Sequence, residues 1–175
     1  KKALGDKLTV QEGDWNCQLM VAPNNNKKPF NDVRVRQALT LAIDRWGGSK
    51  YLSKIAIVKT VGGIVYPSHP LAATKAELVK LRGYWPDIKK SRAEARRLLK
   101  EAGFPNGFSF TFHNRAVDMP YKIVGTWMID QWRQVGLKVK QWVQPTGPFY
   151  ATLRRKKNYD VSMDFNCQSI VNPLL

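Results

Sequence analysis

From Ser91 to Phe165 the chain alternates helix, strand, helix, strand, helix and strand, and this order constrains the fold more than any other feature. Ser91-Arg92-Ala93-Glu94 has the form of a capping box, in which the Ser and Glu side chains satisfy each other's backbone donors. Ala95, Leu98, Leu99 and Ala102 follow as one apolar stripe, and Gly103 ends the helix. Phe108, Phe110 and Phe112 then alternate with Ser109, Thr111 and His113, the two-residue period of a strand. Asp118 and Pro120 open a second helix reaching about Val135, with Val124, Trp127, Met128 and Trp132 inward. Leu137, Val139 and Val143 alternate with Lys138 and Lys140 in a strand, Thr146-Gly147-Pro148 starts a short helix, and Tyr159–Phe165 is a last alternating strand. Such alternation predicts an α/β fold, a sheet with crossover helices. Ligands of such sheets sit at the carboxyl ends of strands, so the loops after Phe112 and Phe165 are the places to expect contact.

The first half is less regular. Leu8–Gln11 and Trp15–Val21 read as strands around a turn at Gly13-Asp14. Asn31 or Asp32 caps a helix whose Val35, Ala38, Leu39, Ala42, Ile43 and Trp46 form one buried stripe, with Gly47-Gly48 as its stop. Residues 60–90 are broken by Gly62, Gly63, Pro67, Pro70 and Pro86, with a short helix expected within Lys75–Leu81. There are no repeats or linkers, so residues 1–175 are read as one domain.

Composition narrows the function classes. The chain is 43% hydrophobic and 24% charged, a globular balance, and no apolar run approaches the ~18 residues of a membrane span. The start, Lys1-Lys2-Ala3-Leu4-Gly5-Asp6, lacks the apolar stretch and cleavage site of a signal peptide. A net charge of +16 creates a field that attracts polyanions, although most of the charge reads as solvated surface. Cys17 and Cys167 either bridge across nearly the whole chain or remain buried thiols.

Enzyme chemistry finds little support. His69 and His113 are the only histidines, and neither has metal-ligand spacing. His113 with Asp118 reads as a loop-edge histidine rather than a base with its orienting acid. There is no nucleophile elbow, no phosphate-cradling glycine loop and no paired-acid arrangement. Neither metal nor cofactor is expected. Trp127 and Trp132 read as core, while Trp142 and Tyr150 are better placed for exposed stacking.

Lys27-Lys28-Pro29-Phe30-Asn31-Asp32-Val33-Arg34-Val35-Arg36-Gln37-Ala38-Leu39-Thr40-Leu41-Ala42-Ile43-Asp44-Arg45 resembles an internal signature of the family 5 solute-binding proteins, receptors of bacterial ABC importers. Ser91–Gly107, Met128–Val139, Asn158-Tyr159-Asp160-Val161 and Asn172-Pro173 are similar to later blocks of that family in order and spacing. The resemblance implies one α/β lobe of a bilobed periplasmic binding protein of the type II, peptide-binding cluster, with a mixed sheet flanked by helices. It implies a non-catalytic chain, in the periplasm or lipid-anchored at a cell surface, that captures a small molecule or short peptide for an ABC permease. Family members are longer, so residues 1–175 are expected to be the second lobe, without an N-terminal lobe and a C-terminal return segment. An exposed interlobe face implies self-association.

The implied cleft wall is Asn166, Cys167, Gln168 and Ser169, with Arg154 and Arg155, and with Tyr66, His69, His113 and Asn114 as further contributors. Peptide-binding members carry an Asp four residues before the proline turn, and Ser169 stands there, so a plain peptide ligand is not implied. The uncharged polar run from Asn166 to Ser169 instead suits a neutral or sugar-like ligand. Arg154 and Arg155 fall where oligopeptide-binding members meet the ligand's carboxylate, which a guanidinium fork suits. Charge alone supports a second reading, a basic module binding polyanions such as heparin-like polymers or anionic membrane, with nucleic acid the less expected partner.

Overall fold

A computed structural model describes residues 7, 9, 17–56, 60–65, 67 and 69–167. Four strands form one sheet in the order β1-β4-β2-β3: β1 (Cys17–Pro23), β2 (Ser109–Arg115), β3 (Lys138–Gln144) and β4 (Val161–Cys167). β2 runs parallel to both β3 and β4, and β1 closes the far edge antiparallel to β4, so the sheet is mixed as expected. The carboxyl ends of β2, β3 and β4 and the start of β1 therefore share one edge. The expected strand at Leu8–Gln11 lies outside the described residues.

The helices are α1 (Val33–Leu41), α2 (Arg45–Ile55), α3 (Lys75–Leu78), α4 (Ile88–Glu101), α5 (Ile123–Arg133) and α6 (Thr146–Tyr150). α1 packs along α4, and α5 packs on β2 and β3. The core lies between them. Phe112 and Trp132 meet edge to face at 4.8 Å, and Trp132 donates its indole N–H to the Leu39 carbonyl at 3.1 Å, so a large ring is buried without an orphaned donor. Phe30, Val35, Leu41, Leu99 and Met163 complete this layer, each worth about 1.5–3 kcal/mol relative to exposure.

Three boundaries differ from the sequence reading, each for a local reason. The first helix stops at Leu41, and Asp44 caps a new one by accepting from the Gly47 N–H at 2.8 Å. Gly47 and Gly48 therefore lie inside α2 rather than ending α1; a Cβ on Gly48 would stand 2.2 Å from the Trp127 ring. α4 starts at Ile88 under an Asp87 cap, so Ser91 is no capping residue but a buried one, donating to the Leu41 carbonyl at 2.6 Å. The working capping box is Thr74 with Glu77, on α3. The second predicted helix is kinked at its start: Asp118–Lys122 forms a wider turn, with Met119 outside helical geometry, before α5 proper.

Among the described residues, the opposite face of the sheet is covered only in part. α6 and the wider turn that continues it, Ala151–Lys156, lie over the carboxyl half, where the Phe149 ring stacks on His113 at 4.5 Å. Cys17 and Cys167 are bonded as a disulfide, which decides between the two sequence-level alternatives.

Candidate functional site

The two-residue period of β2 places Phe112 and Asn114 on the helical side and His113 and Arg115 on the other. In β4, Ser162 and Asp164 face the same way as His113, while Val161 and Met163 enter the core. At the carboxyl edge this brings Arg115, the last residue of β2, near Asp164. Tyr121 reaches over the edge from the turn that follows β2 and joins them. Arg115 Nη1 donates to the Tyr121 hydroxyl oxygen at 3.3 Å, and that hydroxyl donates to Asp164 Oδ1 at 3.0 Å. Tyr150 of α6 donates to the same carboxylate oxygen at 3.4 Å, and the Phe165 N–H does so at 2.9 Å.

The arrangement is electrostatically split. Arg115 Nε donates to Thr146 Oγ1 at 3.0 Å, and its guanidinium lies over the Tyr121 and Tyr150 rings at 5.3 and 5.6 Å. The hydrogen bond to Tyr121 raises the Arg115 pKa against the opposing effect of burial, so the cation is permanent. Burial raises the Tyr121 pKa, the Arg115 hydrogen bond opposes this, and Asp164 adds to it, so the phenol stays protonated and able to donate. Asp164 Oδ2 and Arg115 Nη2 take no hydrogen bond among the described residues. One open carboxylate oxygen and one open guanidinium nitrogen thus flank a neutral tyrosine.

Beneath this edge His113 is wholly buried. Its ring lies between Trp142 and Phe149, at 4.5 Å from each. Gln144 Oε1 lies 2.7 Å from Nε2 and requires a donor there, which leaves Nδ1 to accept from Ser162 Oγ at 3.2 Å. Burial pushes its pKa down, and the neutral tautomer satisfies both contacts.

The predicted site residues separate into groups. Arg154 stands at the edge, its guanidinium 4.4 Å over the Tyr150 ring, and Arg155 beside it is exposed. Asn166 is exposed near the end of β4, and Cys167 is exposed with its sulfur held in the disulfide. His113 and Asn114 do not reach the surface: both are fully buried, and Asn114 donates to the Tyr121 carbonyl at 3.1 Å on the helical side. They support the edge from below instead of forming its surface. Asp118 is no partner of His113, since it pairs with Lys122 at 2.7 Å. His69 is buried in the irregular segment, where Nδ1 accepts from the Leu71 N–H at 3.0 Å. Tyr66, Gln168 and Ser169 lie outside the described residues.

Arg115, Tyr121 and Asp164 were not singled out from sequence. A signal was available: Arg115 ends β2 and Asp164 lies midway along β4, both on the non-core phase of the alternation, where an apolar-in, polar-out pattern expects no special residue. Neither strand phase predicts that Tyr121 folds back over the edge.

Comparisons with known proteins bear on the family and the fold. The sequence profile described as bacterial extracellular solute-binding proteins, family 5 Middle, matches residues 2–173. The glutathione-binding protein GsiB of Escherichia coli (strain K12) is 31% identical over 163 residues, covering 86% of this chain and 29% of that protein. GsiB of Pectobacterium atrosepticum is 32% identical over 153 residues, covering 86% of this chain and 27% of that protein. The chain thus spans less than a third of the length of the curated relatives it matches. Among solved structures, the Escherichia coli murein tripeptide binding protein MppA superposes with a TM-score of 0.73 at 20% identity, over 91% of this chain and 30% of that one. The periplasmic binding protein DppA from Helicobacter pylori, in complex with the peptide STSA, gives 0.67 at 21% identity, over 90% and 28%. These structural likenesses show the fold, a mixed sheet flanked by helices shared with periplasmic binding proteins. The profile match, running from residue 2 to residue 173, places the sequence in a group of binding proteins rather than enzymes, and the chain belongs to the bacterial extracellular solute-binding proteins of family 5.

Proposed function

We propose that this chain supplies one wall of a solute-binding cleft, and that the wall is the carboxyl edge of the sheet. The bound solute passes to an ABC permease, and a second lobe of the same protein supplies the opposing wall, in the periplasm or at a lipid-anchored cell surface. No bond is made or broken; the work is capture and release. The observation that carries this reading is the junction of Arg115, Tyr121 and Asp164, where two charges of opposite sign keep one open atom each beside a neutral donor. Family membership and the relatives named for glutathione and peptides favour a ligand bearing both a carboxylate and an ammonium group. Arg115 and Arg154 suit the acid, and Asp164 suits the amine. In this reading Asp164 and Arg115 join the arginine pair, Arg154 and Arg155, and the uncharged run at 166–169 that the sequence implied. The cost of a missing opposing wall is low affinity, because water stays in the site. The same exposed wall is a surface for self-association of the isolated lobe.

Heteronuclear NMR titration of the chain with glutathione, with a tripeptide and with a neutral disaccharide tests the reading. Perturbations centred on the amides of Arg115, Tyr121, Tyr150 and Asp164, with the charged ligands alone, are the expected result. Perturbations confined to residues away from the edge, or stronger with the disaccharide, would overturn it.

A further inference from the structure

The amino ends of the parallel strands, at the opposite end of the sheet from the candidate cleft, carry a second surface that the solute-binding reading does not use. Here the sheet face is left bare by α6, and a groove of about 470 Å³ runs along it, lined by Ser109, Phe110, Thr111, Lys138, Val139, Lys140 and Asp160. Lys138 and Lys140 are exposed, two residues apart on one face of the edge strand β3, which sets them about 6.5 Å apart along it. Asp160, the one carboxylate in the lining, is already occupied. It receives the Lys27 ammonium at 2.7 Å and the Thr111 N–H and hydroxyl at 2.9 and 2.8 Å.

The Asp160 wall of the groove adjoins two turns. Asn24 staples the turn at 24–28 to the turn at 157–160, donating through Nδ2 to the Lys157 carbonyl at 2.9 Å and the Tyr159 carbonyl at 3.0 Å. Lys28 on the first turn, and Lys156 and Lys157 at the second, are exposed. None of Lys28, Lys138, Lys140, Lys156 and Lys157 has an ion-pair partner among the described residues.

This is not simply the general excess of base over acid in the chain. The described carboxylates are engaged elsewhere: Asp32, Asp44, Glu77 and Asp87 serve helix starts, Glu94, Glu101, Asp118 and Asp130 pair with bases on their own helices or turns, and Asp164 is held at the cleft edge. In the groove, Lys138 and Lys140 have no ion-pair partner among the described residues, and the one lining carboxylate, Asp160, is neutralised by Lys27. A small anion would find no enclosed pocket in so open a groove. A linear polymer would meet successive cations along its length, and each contact releases a counterion.

We infer that this groove binds a linear polyanion, a chain of closely spaced phosphate groups, through Lys138 and Lys140, the polymer continuing past Asp160 towards the lysines of the two stapled turns. The polymer lies along the sheet away from the carboxyl edge, so it and the solute occupy different surfaces. The inference is independent of what the cleft takes.

Medium-chain inorganic polyphosphate is the probe, with the intact chain in a fluorescence or calorimetric titration at several salt concentrations. The expected result is affinity that falls steeply with salt, and a loss of about tenfold at fixed salt in the variant K138E/K140E. The control variant K50E/K54E changes the net charge equally on exposed positions of α2 and is expected to stay within about twofold. The milder K138Q/K140Q separates charge from folding and is expected to lie between wild type and the reversal, with an unchanged melting curve. Equal losses in K138E/K140E and K50E/K54E would mean diffuse attraction and would overturn the groove. So would salt-insensitive binding, or stronger binding to phosphatidylglycerol vesicles than to the polymer, which would make the surface a lipid contact instead.

Discussion

Tyr121 donates its hydroxyl to Asp164 across 3.0 Å, although the two residues are 43 positions apart and come from different elements. The bond fixes the kinked entry of α5 against the end of β4, and it holds Asp164 with one oxygen used and one open. It also leaves the phenol oxygen free to accept from Arg115, so that a single hydroxyl keeps the two charged side chains near each other without letting them neutralise in a direct pair.

The first expectation follows directly. Tyr121→Phe deletes the donor to Asp164 and the acceptor for Arg115 while retaining the ring that packs against Phe165 at 5.4 Å. Stability should fall by about 0.5–1.5 kcal/mol, read from a urea midpoint with an unchanged slope. Binding of a charged solute should weaken by more than that of Asn166→Ala, because two side chains lose their orientation. A Tyr121→Phe protein that binds as wild type would show that the edge is not the cleft wall.

Gly107 tests the backbone at the entry to β2. Its φ is +73°, and a Cβ there would stand 2.0 Å from the Gly136 carbonyl oxygen, a backbone atom that cannot swing away. Gly107→Ala should cost at least 1–3 kcal/mol from the positive φ alone, with steric displacement of the Gly136 turn added. Gly103→Ala shares a positive φ of +91° but meets nothing within 4 Å, so it should cost distinctly less. Thermal melts of the two variants side by side give the comparison.

The disulfide between Cys17 and Cys167 closes a loop of 150 residues. Replacing both cysteines by serine should destabilise the fold by about 2–5 kcal/mol. Equilibrium unfolding with and without reductant measures this, and the serine variant should lose all sensitivity to reductant.

Two groups give stability a dependence on acid, in different windows. Burial raises the Asp160 carboxyl, but the Lys27 ammonium together with the Thr111 N–H and hydroxyl outweighs it, and the net pKa lies below the ordinary value. A carboxylate depressed in the folded state contributes its stability fully above the unfolded pKa of about 3.9, and loses it as pH falls through the lower folded value. His113 is depressed too, by burial. For a base this means that the unfolded chain takes up the proton first, so its cost to stability begins as pH falls through the unfolded value of about 6.5. Asp160→Asn should flatten the stability profile below about pH 4, and His113→Gln should flatten it as pH falls below about 6.5. Urea midpoints at half-unit intervals of pH separate the two.

How much of this was legible beforehand depends on what kind of contact made each feature. The Phe110 and Phe112 phase, the stripe of α4 and the turns at Gly103 and Gly136 are local patterns, and they led to the sheet and its crossover helices. The stop placed at Gly47-Gly48 failed because a side chain distant in sequence, Trp127, packs on Gly48 and Asp44 supplies a cap within the expected helix. The spacing of Ser91 to Glu94 fits a cap, but the Leu41 carbonyl, 50 residues away, claims its hydroxyl instead. Arg154 was visible as a charged residue on a short helix near a strand end. Arg115, Tyr121 and Asp164 were not, because their meeting depends on the sheet order β4-β2 and on a chain reversal after β2. His113 looked like an edge residue for a related reason: no local pattern announces that Phe149 and Trp142 will close over it.

The pairing of Cys17 with Cys167 has one more consequence. Their Cα atoms are 3.9 Å apart, so the first residue of β1 and the last of β4 are held at one point. Such a unit can be spliced into a host chain, or lifted out of one, at the cost of a gap narrower than the spacing between two strands.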